Sequence, residues 1–430
     1  PLLQKEHKMN KRKFFVGEDA PTEKKRKGIV IRLRGGREFR ARLVMSILSK
    51  RRITITGIRE AEEEPGLGRD EASFVRLLDK LTSGSRVEIN QTGSALKLVP
   101  GFLVGGKIEH DVSRSGRGIG WFLEGLLPLA PFCGKPLELI LLGATCAGPS
   151  WRSVDAIKHG PLVWLASDFK IECSLIIEKR QAVSSKQEQI QDGPGRIIFK
   201  CTPVRSLKPI HAVDAGLVAK IRGVAYATRV APALANRTVA AARKTLDPYL
   251  ADIHIITDAA SKRDSAPGPG FGLALVATTT TQRSIVVDLD SSCLDSSEEK
   301  DTTTAKNPEL LAKICVEHLL TQIQSNGIVD SLSAPLFLTL MALSQDDVSV
   351  AVLPSLSTAC ISRLRLLKIF FGTEFVISPI PLKHEGNSSD GNVIEEDNAD
   401  DDDDATRESK MPVRCACIGA GLLNVAKAVT

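Results

Sequence analysis

Apolar residues follow two different rhythms along this 430-residue chain, and the rhythms alternate. Some stretches repeat apolar side chains every third or fourth position, as amphipathic helices do, whereas short β-branched runs bounded by glycine indicate strands. A first helix is predicted where Leu43, Val44, Ile47 and Leu48 share one face, and further helices follow at 70–81, 119–130 and 154–166. Strands are predicted at 28–33, 53–58, 86–90, 95–99, 137–142, 171–179 and 196–201.

The second half of the chain continues the alternation. The run Pro267–Ala277 begins with two Pro-Gly pairs and leads into an apolar stretch, which Ser284–Asp288 follows. A phosphate-binding loop leads from a strand into a helix, whereas this loop leads into a strand, so we interpret it as the start of a hairpin. Helices are predicted at 214–221, 232–246, 308–324 and 357–371, and strands at 222–230, 252–256 and 413–418.

These blocks predict an α/β fold of repeated βα units, with sheets backed by helices. A chain of this length is long enough for two domains. We assign residues 28–203 and 306–430 to a large domain, into which a smaller α/β domain at 204–305 is inserted. The helix at 308–324 is placed back in the large domain, after a polar and Thr-rich linker at 291–305.

Charge is segregated along the chain, although the formal net charge is only +6. Residues 1–27 carry nine basic and four acidic side chains, whereas residues 385–404 carry ten acidic side chains and no basic ones. The remaining body therefore has a net charge of +11. This excess favours a polyanion or an acidic partner over an ordinary solvated surface. Both charged segments have the composition of disordered chain.

The tail at residues 1–27 contains two basic clusters separated by ten residues, Lys11–Lys13 and Lys24–Lys27. This spacing is that of a bipartite nuclear localisation signal, in which each cluster occupies an acidic groove of an import receptor. Basic tails also bind nucleic acid non-specifically, and the two interpretations are compatible. We therefore expect a nuclear protein.

Several function classes do not fit the composition. No apolar run is long enough to span a membrane, and the basic N-terminal segment does not resemble a signal peptide. The nine cysteines include no CxxC pair, only Cys415-x-Cys417, so we expect a reduced intracellular protein without a zinc site. Aromatic residues make up 4% of the chain, which argues against base stacking as the main mode of binding.

A series of motifs runs in order from about residue 30 to the end of the chain. It comprises Phe39-Arg40-x-Arg42-Leu43-Val44, Glu64-Pro65-Gly66-Leu67, Gly105-Gly106-x-Ile108-Glu109-His110-Asp111, Leu129-Ala130-Pro131-Phe132, Ile221-Arg222-Gly223-Val224-Ala225-Tyr226, Arg229-Val230-x-Pro232, Pro269-Gly270-Phe271-Gly272-Leu273, Phe370-Phe371-Gly372-Thr373-Glu374 and Ile418-Gly419-x-Gly421. In these motifs the chain resembles the RNA 3'-terminal phosphate cyclase family, and more specifically its eukaryotic cyclase-like branch of ribosome-biogenesis proteins. The resemblance implies a large domain of repeated α/β units with a smaller inserted α/β domain.

The resemblance also implies that the chemistry of the cyclases is absent. Active cyclases adenylate a histidine nucleophile, and that position falls here near Ala359, with no histidine between His318 and His384. A glycine-rich run of the cyclases corresponds to Arg34–Arg37, and an Asp-Gln pair of their pocket falls at about Leu332–Ser333. We therefore expect no cyclisation, no cofactor and no metal, as in the cyclase-like branch.

The first functional hypothesis is a non-enzymatic assembly factor in small-subunit (18S) rRNA processing. The former catalytic cleft would remain as a basic pocket, because arginine pairs bidentately with phosphate or carboxylate. The resemblance implies a nucleolar location and, as partners, a large nucleolar GTPase together with pre-rRNA and box C/D snoRNP in the small-subunit processome. The candidate binding residues are Arg34, Arg37, Arg40, Arg42, Lys179, Arg180, Arg222 and Arg229.

Two alternatives remain open at this point. An endoribonuclease acting on pre-rRNA needs a general acid and base or clustered carboxylates, and His110-Asp111 is the only adjacent His/Asp pair. A residual RNA cyclase would need a nucleophile other than the missing histidine. The chain also departs from the cyclase-like branch in the loops at 144–151 and 181–192, so a binding role of these loops is not carried over.

Overall fold

The structure is a computed structural model that describes residues 30–182, 193–260, 265–266, 268–294, 307–380 and 411–426. The basic tail at 1–27 and the acidic segment at 385–404 lie outside these residues, as do most of the 181–194 insertion and most of the 291–305 linker. The described part contains four four-stranded sheets and one two-stranded sheet.

The first unit places two parallel strands next to an antiparallel hairpin. Its sheet has the order β1-β2-β5-β4, in which β1 and β2 are parallel and the other pairs are antiparallel. A short β3–β6 pair closes the unit. The elements are β1 (Val30–Arg34), α1 (Phe39–Ser49), β2 (Arg52–Thr56), α2 (Arg69–Leu81), β3 (Thr82–Ser83), β4 (Arg86–Ile89), β5 (Leu96–Val99) and β6 (Phe102–Leu103).

The second unit repeats this plan. Its sheet has the order β7-β8-β10-β9, again with the first pair parallel and the others antiparallel. A 3-10 turn at Ala130–Phe132 separates its first helix from β8. The elements are β7 (Gly106–Asp111), α3 (Ile119–Leu126), β8 (Leu137–Leu142), α4 (Val154–His159), α5 (Pro161–Ser167), β9 (Cys173–Lys179) and β10 (Arg196–Cys201).

The third unit is interrupted by an insertion after its first strand. That first strand is β11 (His211–Ala212). The inserted elements are β12 (Val218–Thr228), α6 (Pro232–Leu246), β13 (Ile253–Ala260), β14 (Gly270–Thr279), β15 (Ser284–Asp290), a 3-10 turn (Ser291–Cys293) and α7 (Pro308–Gln324). The unit resumes with α8 (Ala334–Leu343), β16 (Val348–Leu353), α9 (Thr358–Phe371), β17 (Phe375–Pro379) and β18 (Val413–Ile418).

The third sheet has the order β11-β16-β18-β17, with the strand directions of the first two sheets. The inserted sheet has a different order, β13-β12-β14-β15. Three units of one topology around a shared core confirm the predicted α/β fold of repeated units with helix-backed sheets. The hairpin predicted after Pro267 is confirmed as the antiparallel pair β14–β15.

Two predicted placements are wrong. The helix predicted at 214–221 is absent, and β12 begins at Val218, because its backbone pairs with β14 from Val218 onward and with β13 from Ile221 onward. Helix α7 does not return to the large core. Its apolar face, which includes Leu311, Cys315 and Leu319, packs into the core of the inserted sheet with Phe271.

Several predicted helices have different bounds, among them the helix predicted at 119–130, which ends at Leu126. The helix predicted at 154–166 is broken into α4 and α5 at Gly160–Pro161, because proline has no N–H for the preceding turn. Helix α2 begins at Arg69, one residue earlier than predicted, with Gly68 as its N-cap. The Glu71 carboxylate accepts a hydrogen bond from the Gly68 N–H at 3.0 Å and satisfies that donor.

Candidate functional site

A cleft of about 800 Å³ opens where the three units and the insertion meet. Its walls include Arg40 of α1, Glu124 of α3, Asp288 of β15 and Arg363 of α9, together with Arg152 of the segment before α4. Residues far apart in sequence therefore reach one site only because the three units close around it.

Arg40 is held on one wall by an aromatic ring and a carboxylate. The guanidinium carbon of Arg40 lies 4.1 Å from the centroid of the Trp121 ring, and Nη1 of Arg40 donates a hydrogen bond to the Trp121 carbonyl oxygen. The Glu124 carboxylate is 3.7 Å from its Nη1. Burial lowers the pKa of Arg40 and raises the pKa of Glu124, while their mutual attraction opposes both shifts.

Arg152 forms the most deeply buried pair of the cleft, with only 3% of its side chain exposed. It donates hydrogen bonds to the Asp330 carboxylate and, at 3.0 Å, to the Ser333 hydroxyl, and its Nε lies 3.8 Å from Glu124. Burial alone would lower the pKa of Arg152, but the attraction of Asp330 and Glu124 raises it. The arginine therefore cross-links α3 to the start of α8 as a fixed cation.

The other cleft arginines are paired as well. Arg363 donates to the Thr339 hydroxyl at 3.0 Å and to Glu38 at 3.4 Å. The remaining two pairs are Arg117 with Asp70 at 3.0 Å and Arg59 with Glu71.

Among the described residues, five arginines and five carboxylates line this cleft. The prediction that the cleft is basic is therefore wrong. Each arginine of the cleft lies within ion-pair distance of a carboxylate, so the positive charges are balanced. The lining carboxylates are Glu38, Asp70, Glu71, Glu124 and Asp288.

The positions that match the cyclase pocket do lie together. Leu332, Ser333 and Ala359 all line the cleft with Arg40. Ala359 is in the first turn of α9, where it contributes only a methyl group. The cleft wall does contain one histidine among the described residues, the exposed His318 of α7, which comes from the insertion.

The remaining predicted arginines of the first unit lie near the end of β1. Arg34 and Arg37 are exposed and do not line the cleft. Arg42 donates to the carbonyl oxygens of Gly35 at 2.5 Å and Arg34 at 3.2 Å, so it holds the loop between β1 and α1.

Arg180 is a buried connection between the second unit and the insertion. It makes a bidentate pair with Asp155 at 2.5 and 2.9 Å and a further bond to Asp258 at 2.6 Å. Its guanidinium carbon lies 5.5 Å from the centroid of the Tyr226 ring. Burial alone would lower the pKa of Arg180, but these carboxylates raise it. Lys179 is half-buried at the end of β9.

The two predicted residues of the insertion lie away from the cleft. Arg222 makes an exposed bidentate pair with Asp252 at 2.7 and 3.0 Å. Arg229 follows β12 and donates to the Ser265 carbonyl at 3.3 Å. Of the eight predicted residues, only Arg40 therefore lines the cleft.

Sequence reasoning did not select Glu124, Arg152, Asp288 or Arg363. Glu124 carried a usable signal, because it is the only charged residue of α3, an otherwise apolar helix. Asp288 accepts a 2.5 Å hydrogen bond from the Ser153 N–H, and burial raises its pKa to about 6. No local pattern indicates that Asp288 meets the second unit.

The adjacent pair His110-Asp111 does not form one site. His110 is buried and hydrogen-bonded to the Ser73 hydroxyl at 2.9 Å, and burial lowers its pKa to about 4. Asp111 lies on the opposite, exposed face of β7 and accepts a hydrogen bond from the Ser113 N–H at 2.8 Å. Strand alternation separates the two side chains, and neither lines the cleft.

Within the described residues, no group of three or more His, Cys, Asp and Glu side chains is arranged to hold a metal ion. All nine cysteines are described, and none forms a disulfide. Cys415 and Cys417 are buried on one face of β18. Among the described helices, none is both long and apolar enough for a membrane span.

Comparison with known proteins places the chain in a family. A family model described as RNA 3'-terminal phosphate cyclase matches residues 31–377. The RNA 3'-terminal phosphate cyclase-like protein of Homo sapiens is 40% identical over 389 residues, which cover 90% of this chain and 95% of the relative. A probable cyclase-like protein of Drosophila melanogaster is 35% identical, with 92% of this chain and 96% of the relative covered. The rRNA processing protein rcl1 of Schizosaccharomyces pombe is 35% identical over 353 residues, covering 81% and 92%. With its fold, its cleft and these relatives, the chain belongs to the RNA 3'-terminal phosphate cyclase family.

Proposed function

We propose that this protein is a non-cyclising member of the family that acts in rRNA processing. The observation that carries the proposal is Ala359, a methyl group on the cleft wall at the position where the resemblance expects the nucleophilic histidine. Adenylation needs a nucleophilic imidazole in reach of the nucleotide phosphates, which alanine cannot supply. A relative that is 35% identical is named an rRNA processing protein, which supports this assignment.

The finer part of the proposal concerns place and partners. We propose that the protein works in the nucleus and nucleolus on small-subunit (18S) pre-rRNA, with a large nucleolar GTPase and box C/D snoRNP. The bipartite basic clusters of the tail at 1–27 support recognition by an import receptor, and the +11 charge of the body supports an RNA or acidic partner. Exposed Arg34 and Arg37 are the candidates for the GTPase contact.

Incubation of the purified chain with labelled ATP tests the loss of cyclase chemistry. We expect no covalent adenylate on the wild-type protein, because the cleft position holds alanine. A known active cyclase serves as the positive control in the same reaction. A labelled wild-type chain would contradict the proposal directly.

The GTPase contact has a separate test. Arg34→Glu with Arg37→Glu is expected to weaken affinity for the purified GTPase, because it reverses two exposed charges near β1. Arg196→Glu with Lys200→Glu is the matched control on the second sheet. Equal affinities for wild type and the Arg34/Arg37 variant would remove these residues from the interface.

One observation favours a second candidate, an endoribonuclease. Glu124 and Asp288 share the cleft with Arg40 and Arg152, and burial raises the pKa of both carboxyl groups. A carboxyl group with a pKa near 6 is suited to proton transfer at a ribose 2'-OH, and a nearby arginine is suited to binding the phosphate.

Incubating pre-rRNA with the protein alone tests the endoribonuclease hypothesis. Site-specific cuts that disappear in Glu124→Gln or Asp288→Asn would establish the nuclease, and cuts that persist in both variants would exclude these groups.

A further inference from the structure

The three repeated sheets differ in the side chains that they turn away from the core. On the first sheet, alternate residues such as Ile31, Leu33, Ile53 and Leu98 pack inward. The residues between them face outward and are exposed. The charged members of this outer face are Arg32, Arg34, Arg52, Arg86, Lys97 and Glu88.

The strand register arranges four of these cations, Arg32, Arg52, Lys97 and Arg86, in a zigzag across the sheet. Arg32 faces Thr54 on the neighbouring strand, so Arg52 is its diagonal neighbour. Lys97 also faces Thr54, which makes Arg52 and Lys97 diagonal neighbours in turn. Diagonal neighbours on a sheet are about 7–8 Å apart.

The zigzag continues to the fourth strand. Lys97 faces Glu88 across β5 and β4, so Arg86 is the next diagonal neighbour. The four cations thus cross the whole sheet in a zigzag, and no two of them face each other directly. Arg34 extends the zigzag two residues along β1, about 6.6 Å beyond Arg32.

These cations have fewer carboxylate partners than the arginines of the cleft, so they are available to bind an external anion. Lys97 has one exposed partner, Glu88 at 3.3 Å. Within the described ranges, no carboxylate lies within ion-pair distance of Arg32, Arg52 or Arg86. Arginine keeps its charge at any physiological pH, so the outer face presents a lasting positive potential.

The second sheet shows what the same topology looks like when its outer charges are neutralised. Lys107 and Lys200 both pair with Glu138, at 3.5 and 3.1 Å. Arg196 pairs with Glu178 at 2.6 Å. The outer face of the second sheet therefore pairs its own cations with carboxylates. Because both sheets have the same topology, the fold does not by itself explain why Arg32, Arg52 and Arg86 lack such partners in the described part of the chain.

We propose that the outer face of the first sheet binds the phosphate backbone of single-stranded RNA. The sheet positions that carry the cations are about 7–8 Å apart, and arginine forks bind phosphate bidentately, so neighbouring arginines can bind phosphates of one nucleotide chain. The charged face includes no aromatic residue, so contacts follow the backbone and not the base sequence. The inference rests on the proposed function, since it names the surface through which an rRNA-processing factor holds its RNA.

The test is the affinity of the full chain for a fluorescent oligouridylate, measured by anisotropy over a range of salt concentrations. The variant Arg32→Gln/Arg52→Gln/Arg86→Gln removes three unpaired cations. Its matched control, Lys107→Gln/Arg196→Gln/Lys200→Gln, removes three paired cations from the second sheet. Both variants keep the tail and lose the same charge.

We expect the first-sheet variant to bind roughly 10–100-fold more weakly at physiological salt. The slope of log affinity against log salt should become shallower by about 2, since each lost phosphate contact on a single strand contributes about 0.7. The second-sheet control should stay within twofold of wild type. Equal losses in both variants, or no loss in either, would overturn the inference and leave the proposed function standing.

A second measurement needs no variant. Acetylation of surface lysines in wild-type protein, with and without the oligouridylate, should show protection of Lys97 but not of Lys107 or Lys200. Unprotected Lys97 in the bound state would overturn the inference. Displacement of the RNA by polyglutamate at equal charge would also overturn it and assign the face to an acidic protein. Failure of the wild-type chain to bind RNA at all would instead overturn the RNA-binding part of the proposed function.

Discussion

The arginines of the cleft and those of the first sheet have opposite surroundings. Arg152 and Arg363 are enclosed and bonded to carboxylates of other units. Arg32 and Arg52 stand on an open strand face without an ion-pair partner among the described residues. An arginine-rich pocket is therefore not the same as a positive pocket. In this protein the enclosed cations hold the units together, and the open cations are left for an anion.

The difference follows from the cost of burying charge. A cation removed from water needs a paired, hydrogen-bonded anion, and an RNA phosphate would have to displace that anion. A solvated cation on a sheet face keeps its hydration until a phosphate arrives and releases counterions. The cleft is thus better suited to holding the fold, while the first sheet is better suited to backbone binding.

The largest effect is expected from breaking the most buried pair of the cleft. Arg152→Met leaves the Asp330 carboxylate buried without its cation, which should lower the free energy of unfolding by about 3–5 kcal/mol. The double variant Arg152→Met/Asp330→Leu should recover most of that loss. Urea denaturation measures both. Equal loss in the single and double variants would show that the pair does not stabilise the fold as described.

A pH titration tests the cleft separately from the first sheet, because burial raises the pKa of Asp288 on the cleft wall. The folded pKa of Asp288 is about 6, above its usual value of 3.8, so the folded state binds the proton more tightly. Stability from this group should therefore rise as pH falls from above 6 toward 4. Since Asp288 is only half-buried on the cleft wall, we expect about 1 kcal/mol.

The control for this titration is Asp288→Asn, which keeps an oxygen to accept the Ser153 N–H. Thermal unfolding between pH 7.5 and 5 should show a gain in wild type that the variant lacks. An identical pH dependence in both proteins would contradict the raised pKa. RNA affinity should not follow the same titration.

A smaller effect should follow from removing the single acidic residue among the outward-facing charges of the first sheet. Glu88→Gln frees Lys97 from its exposed partner, and we expect RNA affinity to increase about two- to fourfold at physiological salt. Glu178→Gln on the second sheet is the matched control and should change affinity less. A decrease in affinity for Glu88→Gln would contradict the assignment of this face to phosphate.

Elements with a clear periodicity could be predicted from the sequence. Helix α6 at Pro232–Leu246, helix α7 at Pro308–Gln324 and strand β18 at Val413–Ile418 have the predicted bounds. The start of β12 could not be predicted, because Val218 and Lys220 join the strand only through pairing with β14. The packing of α7 could not be predicted either, because the periodicity of its apolar face does not show which of the two cores it packs against.

The site was less predictable than the fold. Of the positions that the family resemblance assigns to the pocket, Arg40 and Ala359 both line the cleft. Sequence reasoning could not identify the pairing of Arg180 with Asp155 and Asp258, since these carboxylates are 25 and 78 residues away. The charge of a cleft depends on which distant carboxylates meet its arginines, and composition does not contain that information.

The most direct test compares the two regions in one binding experiment. Arg32→Gln/Arg52→Gln on the first sheet and Arg40→Gln/Arg117→Gln in the cleft remove two cations each, and oligouridylate affinity is measured for both against salt. We expect about tenfold weaker binding and a slope of log affinity against log salt that is shallower by about 1.4 for the first-sheet variant, with the cleft variant close to wild type. Weaker binding in the cleft variant, with the first-sheet variant unchanged, would contradict it.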